Sequence, residues 1–167
     1  MEDKKRDLPK TLKELKDSGY QYLSVKDEVR KNLLLAISQD RKVFEGIYGY
    51  DETVIPDVER SILARHNILL LGLRGQAKTR MARLMVNLLD EFVPYVKGSP
   101  LFEDPFNPIT DVVKNSITEL GDELPIEWLH RNDRYTEKLA TPDVSIADLI
   151  GDIDPMKAVK QGPCILS

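Results

Sequence analysis

The stretch NILLLGLRGQAKTRMARL, from Asn67 to Leu84, constrains the fold more than any other part of the sequence. Its short apolar run ahead of glycine, over 67–71, predicts a buried strand of a parallel sheet. From Lys78 onward the pattern becomes helical, because apolar residues recur at i, i+3, i+4, i+7, i+8 and i+11. These residues are Met81, Leu84, Met85, Leu88, Leu89 and Phe92. The stretch therefore predicts a strand, a tight turn and an amphipathic helix in succession.

The turn between this strand and this helix has the composition of a phosphate-binding loop. Gly72 and Gly75 let the backbone approach an anion closely, Lys78 brings a positive charge, and Thr79 brings a hydroxyl suited to Mg²⁺. The usual pattern G-x-x-x-x-G-K-[ST] has glycine before the lysine, where this chain has Ala77. We expect Ala77 to have helical dihedral angles and Gly75 to take the strained position. The alternative is an ordinary glycine-containing turn.

Other segments carry weaker signals of secondary structure. Thr11 and Ser24 lie where helix N-caps are expected, ahead of predicted helices at 12–17 and 25–38. Further along the chain the pattern predicts helical structure within 51–66, a strand at 93–98, a helix at 111–120, a strand at 126–131 and a helical piece near 145–150. This mixture of helices and strands predicts an α/β protein.

Composition and charge exclude several classes of function. The 167 residues are 41% hydrophobic and 31% charged, which suits a globular domain. The net charge of −4 argues against a nucleic-acid partner. The longest apolar run, 68–71, is too short to span a membrane, and the first residues lack the apolar stretch of a signal peptide. The single cysteine, Cys164, permits no internal disulfide, and we expect a cytoplasmic protein.

Several segments resemble one clade of ATPases. GLRGQAKT (72–79) resembles the Walker A loop of MoxR-type AAA+ ATPases, which often carry alanine before the lysine. GIYGYDETV (46–54) is similar to the segment that opens the AAA+ module of magnesium chelatase ATPase subunits, and two more segments are similar to parts of the same subunits: DPFN (104–107) and LATPDVSIADLIGDIDPMKAVKQG (139–162). The resemblance implies an incomplete P-loop NTPase (AAA+) αβα sandwich at 46–167 with an N-terminal helical extension at 1–45.

The resemblance also implies a site for ATP and Mg²⁺. Ile47, Tyr48 and Gly49 would lie beside the adenine. The phosphates would be wrapped by Gly72, Leu73, Arg74, Gly75, Gln76, Ala77 and Lys78. Thr79 would hold Mg²⁺, and Arg80 would sit beside the phosphates at the start of the helix. Residues 151–157 would begin an inserted segment that projects from the ring.

One catalytic part of that family's pattern is missing. Walker B requires an acidic pair after four apolar residues, and 80–167 contains none; VSIAD (144–148) is the nearest match. We therefore assign no catalytic residue, expect negligible hydrolysis by this chain, and expect the sequence to be a fragment that stops before Walker B. The intact family forms hexameric rings that remodel a partner protein or a metal-insertion complex, and the partner here is unknown.

Two other functions remain open from the sequence. The chain could be a non-catalytic interaction module whose helical first third, 11–40, binds a partner while the loop is vestigial. It could also be a regulator of the sigma-54-interaction type, although the sequence contains neither a GAFTGA-like loop nor a helix-turn-helix.

Overall fold

The computed structural model describes residues 8–138, 143–147 and 151, and it divides the chain into two compact units, 1–135 and 136–167. The helices and strands described in the first unit are α1 (Leu12–Asp17), α2 (Val25–Ser38), α3 (Val54–Leu63), α4 (Lys78–Met85), β1 (Phe92–Val96), α5 (Asp111–Leu120) and β2 (Ile126–His130). Three short 3-10 helices accompany them: Val86–Leu88, Gly121–Glu123 and Arg131–Arg134.

The second unit is described only at 136–138, 143–147 and 151. There the backbone N–H of Gly151 donates to the carbonyl of Ala147 at 2.9 Å, which is the spacing of a helical turn. The predicted helical piece near 145–150 and the inserted segment expected at 151–157 lie mostly outside the described residues.

Hydroxyl side chains begin three of the helices. Thr11 accepts a hydrogen bond from the backbone N–H of Glu14 at the start of α1, and Ser24 accepts one from Asp27 at the start of α2. Thr110 caps α5 in the same way. Each cap satisfies an N–H group that has no partner within its helix. The three helices have the predicted bounds.

Helix α4 ends sooner than the apolar periodicity predicts. Its α-helical part stops at Met85, a 3-10 turn continues to Leu88, and Phe92 belongs to β1. The Asn32 side chain on α2 donates to the carbonyl of Leu88 at 2.8 Å. A longer helix would give that carbonyl to the N–H of Phe92. The prediction of one helix through residue 92 is wrong, because the Asn32 side chain binds the carbonyl of Leu88 that a longer helix would use.

The predicted strand at 67–71 is also wrong for the described structure. The segment has no regular secondary structure, and no described strand pairs with it. Ile68 and Leu70 pack against the core, whereas Leu69 and Leu71 are 81% and 83% exposed. A continuous run of apolar residues is typical of a strand buried on both faces. Strand formation also needs the backbone of a neighbouring strand for its hydrogen bonds.

Strands β1 and β2 form a two-stranded antiparallel sheet; the sequence pattern predicts both strands but not the direction of their pairing. Phe92 lies opposite His130 and Val96 lies opposite Ile126, so both predicted strands are present. Pro94 occupies the middle of β1. Because proline has no N–H to donate, this strand suits the edge of a sheet better than the centre of a parallel one.

Two groups of buried side chains form the interior of the first unit. One lies among α2, the 43–47 segment, α3 and the α4 region and consists of Leu33, Ala36, Val43, Phe44, Ile47, Val58, Ile62, Met81 and Leu88. The other lies among α1, α5 and the sheet and consists of Leu12, Leu15, Val96, Val113, Leu124 and Ile126. The first group takes residues from both sides of position 45, so α2 shares a core with the loop-bearing helix α4.

The segment before α1 is bound to β2. The backbone N–H of Ile126 donates to the carbonyl of Lys10 at 2.8 Å. The indole Nε1 of Trp128 donates to the carbonyl of Pro9 at 2.7 Å. These bonds attach the beginning of the described chain to a strand more than a hundred residues away in sequence.

A buried ion pair connects α2 to two later segments. Glu28 is 2% exposed, and its carboxylate accepts from both terminal guanidinium nitrogens of Arg134 at 2.7 and 2.6 Å. It also accepts from the backbone N–H of Asp90 at 2.7 Å. The hydrogen bond to this carboxylate raises the pKa of Arg134 above its usual value. One side chain therefore fixes the turn before β1 and the 3-10 helix after β2.

A second buried carboxylate organises the loop between β1 and α5. Glu103 is 3% exposed and accepts from the backbone N–H groups of Ile109 and Thr110 at 2.6 and 2.8 Å. The hydroxyls of Thr110 and Ser99 donate to it as well. Burial alone would raise the pKa of Glu103, but these hydrogen bonds outweigh burial and hold the pKa below its ordinary value.

We predict that Glu28→Gln lowers the free energy of unfolding by about 3 kcal/mol, because the guanidinium of Arg134, whose side chain is only 14% exposed, would lose its counter-charge. Urea unfolding followed by Trp128 fluorescence measures the change. The control is Asp57→Asn, which breaks the pair with Arg60 where both side chains are about three-quarters exposed. That variant should change stability by less than about 0.5 kcal/mol. Equal losses in the two variants would contradict the assigned role of Glu28.

We predict that Glu103→Gln reduces the acid sensitivity of the fold. A carboxyl with a lowered pKa in the folded state contributes stability above its unfolded pKa, near 4.5 for Glu103, and loses that contribution as the pH falls through the folded-state value. The wild type should therefore lose more unfolding free energy than the variant between about pH 6 and about pH 3.5. Urea titrations at the two pH values test this, and identical losses would refute it.

Candidate phosphate-binding site

The loop from Gly72 to Ala77 connects the extended segment to α4 through three left-handed residues. Gly72, Gly75 and Ala77 have φ angles of 152°, 84° and 54°. Ala77 therefore does not have the helical dihedral angles expected of it; it is the left-handed N-cap of α4. Gly75 does take one left-handed conformation, as expected. Ala77 takes another, at the point where the loop enters α4. The methyl group of Ala77 packs against the core beside α4.

The loop and the first turn of α4 enclose a concavity of about 470 Å³. It is lined by Arg74, Gly75, Gln76, Ala77, Lys78, Thr79 and Arg80. The N-terminus of a helix presents unpaired backbone N–H groups and the positive end of the helix dipole. The concavity therefore combines backbone donors with the side chains of a lysine and a threonine at its rim.

The side chain of Lys78 reaches back across the loop. Its Nζ donates to the carbonyl of Gly72 at 3.0 Å and to the carbonyl of Leu73. An ammonium group has three N–H donors, so within the described residues one donor is left over for another oxygen. Gln76 crosses the loop in the same direction, and its Oε1 accepts from the backbone N–H of Leu73 at 2.8 Å.

Arg80 joins the start of α4 to the segment predicted to lie beside the adenine. A methyl group placed on Gly46 would collide with the guanidinium of Arg80, which shows how closely this side chain approaches the backbone of Gly46. Next to this contact, Ile47 is buried in the core and Tyr48 is 86% exposed. Gly49 has a left-handed φ of 80°. The structure thus brings together Arg80 and the 46–49 segment, which are more than thirty residues apart in sequence.

A second cavity, of about 340 Å³, lies on the side of the loop that faces α3. Lys78 and Gln76 line it together with Tyr50, Asp57 and the 67–71 segment. The sequence pattern did not predict Tyr50 or Asp57 beside the loop. Neither belongs to a motif, and only their packing brings them close to the loop.

The described residues contain no group of three His, Cys, Asp or Glu side chains that could hold a metal ion. Mg²⁺ in nucleotide sites takes most of its ligands from phosphate oxygens and water, and it needs few from the protein. Thr79 is exposed at the rim of the concavity, so its hydroxyl fits the role of a single protein ligand.

No protein-family model matches the chain, and no curated protein or solved structure matches it either. The assignment of this site therefore rests on its sequence pattern and its geometry. Across the part of the chain that the structure describes, no helix has both the length and the apolar character needed to cross a membrane.

We predict that Ala77→Val destabilises the protein by about 2 kcal/mol, because a β-branched side chain strongly disfavours a left-handed backbone. The matched control is Ala82→Val in the same helix, where the backbone is right-handed and the expected cost is below about 1 kcal/mol. Urea unfolding of the two variants measures both costs. A loss at position 77 no larger than that at position 82 would contradict the strained conformation.

Proposed function

We propose that the loop from Gly72 to Thr79 binds the phosphates of ATP with Mg²⁺. The observation that carries this proposal is the position of Lys78, which begins α4 and crosses the loop to two carbonyls, so that one of its three donors is left for a further oxygen. A concavity with backbone donors at a helix N-terminus and a lysine ammonium group close by is an arrangement that suits phosphate groups.

The roles of the individual residues follow from their positions. Backbone N–H groups at the start of α4 would face the phosphate oxygens, and Lys78 would neutralise part of their charge. Thr79 would give one oxygen to Mg²⁺, and the ion would supply positive charge to balance that of the phosphates. The contact of Arg80 with Gly46 supports a base site at Ile47 and Tyr48, because it brings that segment next to the phosphate end.

The resemblance to magnesium chelatase ATPase subunits and MoxR-type proteins supports a wider proposal. In it, the chain is the nucleotide-binding portion of a cytoplasmic AAA+ ATPase with a P-loop αβα fold. The intact protein would form a hexameric ring and couple ATP hydrolysis to the remodelling of a partner. We expect negligible hydrolysis by this chain, because no acidic pair follows an apolar strand in its sequence.

A second candidate function is a non-catalytic interaction module. The observation in its favour is the surface of α2, where Leu34, Leu35 and Ile37 are each about half exposed. Exposed apolar side chains grouped on one helix suit a partner helix. In that case the loop would be vestigial, and ATP with Mg²⁺ would leave the thermal stability of the chain unchanged.

We predict that Lys78→Ala weakens the binding of a fluorescent ATP analogue with Mg²⁺ by about 10- to 100-fold, the value of one or two hydrogen bonds to a charged group. Lys42→Ala removes an exposed lysine outside the loop and should bind as the wild type does. Fluorescence anisotropy measures both affinities, and phosphate release measures turnover. Equal binding by the two variants, or no binding by the wild type, would overturn the proposed site.

A further inference from the structure

The side chain of Gln76 connects the end of the loop to its beginning. Its Oε1 accepts from the backbone N–H of Leu73 at 2.8 Å. The same oxygen lies so close to Gly72 that a methyl group there would collide with it. Gln76 therefore lies over the first two residues of the loop and depends on the absence of a side chain at Gly72.

Lys78 binds the same two residues, but as a hydrogen-bond donor. It donates to the carbonyls of Gly72 and Leu73, whereas Gln76 accepts from the N–H of Leu73. A loop without strand neighbours leaves its backbone groups to be satisfied by side chains or water. Within the described residues, the 67–73 segment belongs to no sheet, so these three bonds hold the entrance of the loop.

We propose that Gln76 is a positioning residue that preforms the phosphate-binding loop by holding the N–H of Leu73. The inference rests on the proposed nucleotide site. It explains how the loop keeps its conformation before a ligand binds. Ordering a loop on binding lowers affinity, and a loop that is already held avoids that cost. The carboxamide suits this role because it is neutral and does not repel phosphate as a carboxylate would.

The decisive variant is Gln76→Met, which keeps the length of the side chain and removes its oxygen. We expect the amide of Leu73 to exchange its hydrogen faster in the nucleotide-free protein, as measured by NMR. We also expect the affinity for ATP with Mg²⁺ to fall about five-fold, which corresponds to one neutral hydrogen bond. Gln39→Met, on an exposed residue at the end of α2, should change neither value.

A conservative replacement of Gln76 distinguishes a role in positioning the loop from a general role in stabilising the fold. Gln76→Glu keeps an oxygen at the same reach and should restore the slow exchange of the Leu73 amide. Its added negative charge should still weaken ATP binding, most strongly at low salt. The melting temperatures of all variants should stay close to that of the wild type, because Gln76 is exposed.

The outcomes separate the two proposals. If the wild type binds ATP through Lys78 and Gln76→Met binds equally well or more tightly, the positioning role is overturned while the nucleotide site stands. An unchanged exchange rate of Leu73 in Gln76→Met also overturns it. If the wild type binds no nucleotide, both proposals fail, even when the exchange of Leu73 shows that Gln76 holds the loop.

Discussion

The buried carboxylate of Glu28 is the interaction on which most of the first unit depends. Helix α2 supplies this single acceptor, and the turn at Asp90 and the guanidinium of Arg134 both bind to it. The turn lies between the end of the α4 region and the start of β1, so the same carboxylate holds the chain where it leaves the loop-bearing helix and enters the sheet. A charged group with this little exposure is tolerated only because all its strong partners are charged or backbone donors.

Local sequence signals predict the helices that begin with hydroxyl caps, but they do not predict contacts between segments that are distant in sequence. Hydroxyl caps at Thr11, Ser24 and Thr110 and the periodicity of the apolar residues predict helices with the observed bounds, because caps and periodicity act within one turn. The length of α4 depends on Asn32, which is more than fifty residues away from the carbonyl it binds. The direction of the β1–β2 pairing is equally a long-range property, and an apolar run alone does not reveal whether a partner strand lies beside it.

At the candidate site, too, the sequence identifies residues but not their conformations. The motif assigns residues 72–80 to the site, and the structure places Arg74 to Arg80 around the concavity, without Gly72 and Leu73. Their binding of nucleotide stays a prediction. The motif did not predict the left-handed Ala77, because dihedral strain depends on how the loop enters the helix. It also did not predict the bond from Gln76 to Leu73 or the approach of Arg80 to Gly46, which depend on side-chain direction and on contacts between distant segments.

The attachment of the first described residues to β2 has a consequence for the order in which the chain folds. Lys10 leaves the ribosome long before Ile126, and at about 5–20 residues per second the delay between them is about 6 to 23 seconds. Helix α1 has only six residues, too few to be stable alone during that interval. Helix α1 is therefore synthesised well before it can reach its final contacts, and a pause in translation before residue 126 would prolong the time for which Leu12 and Leu15 lack their partners.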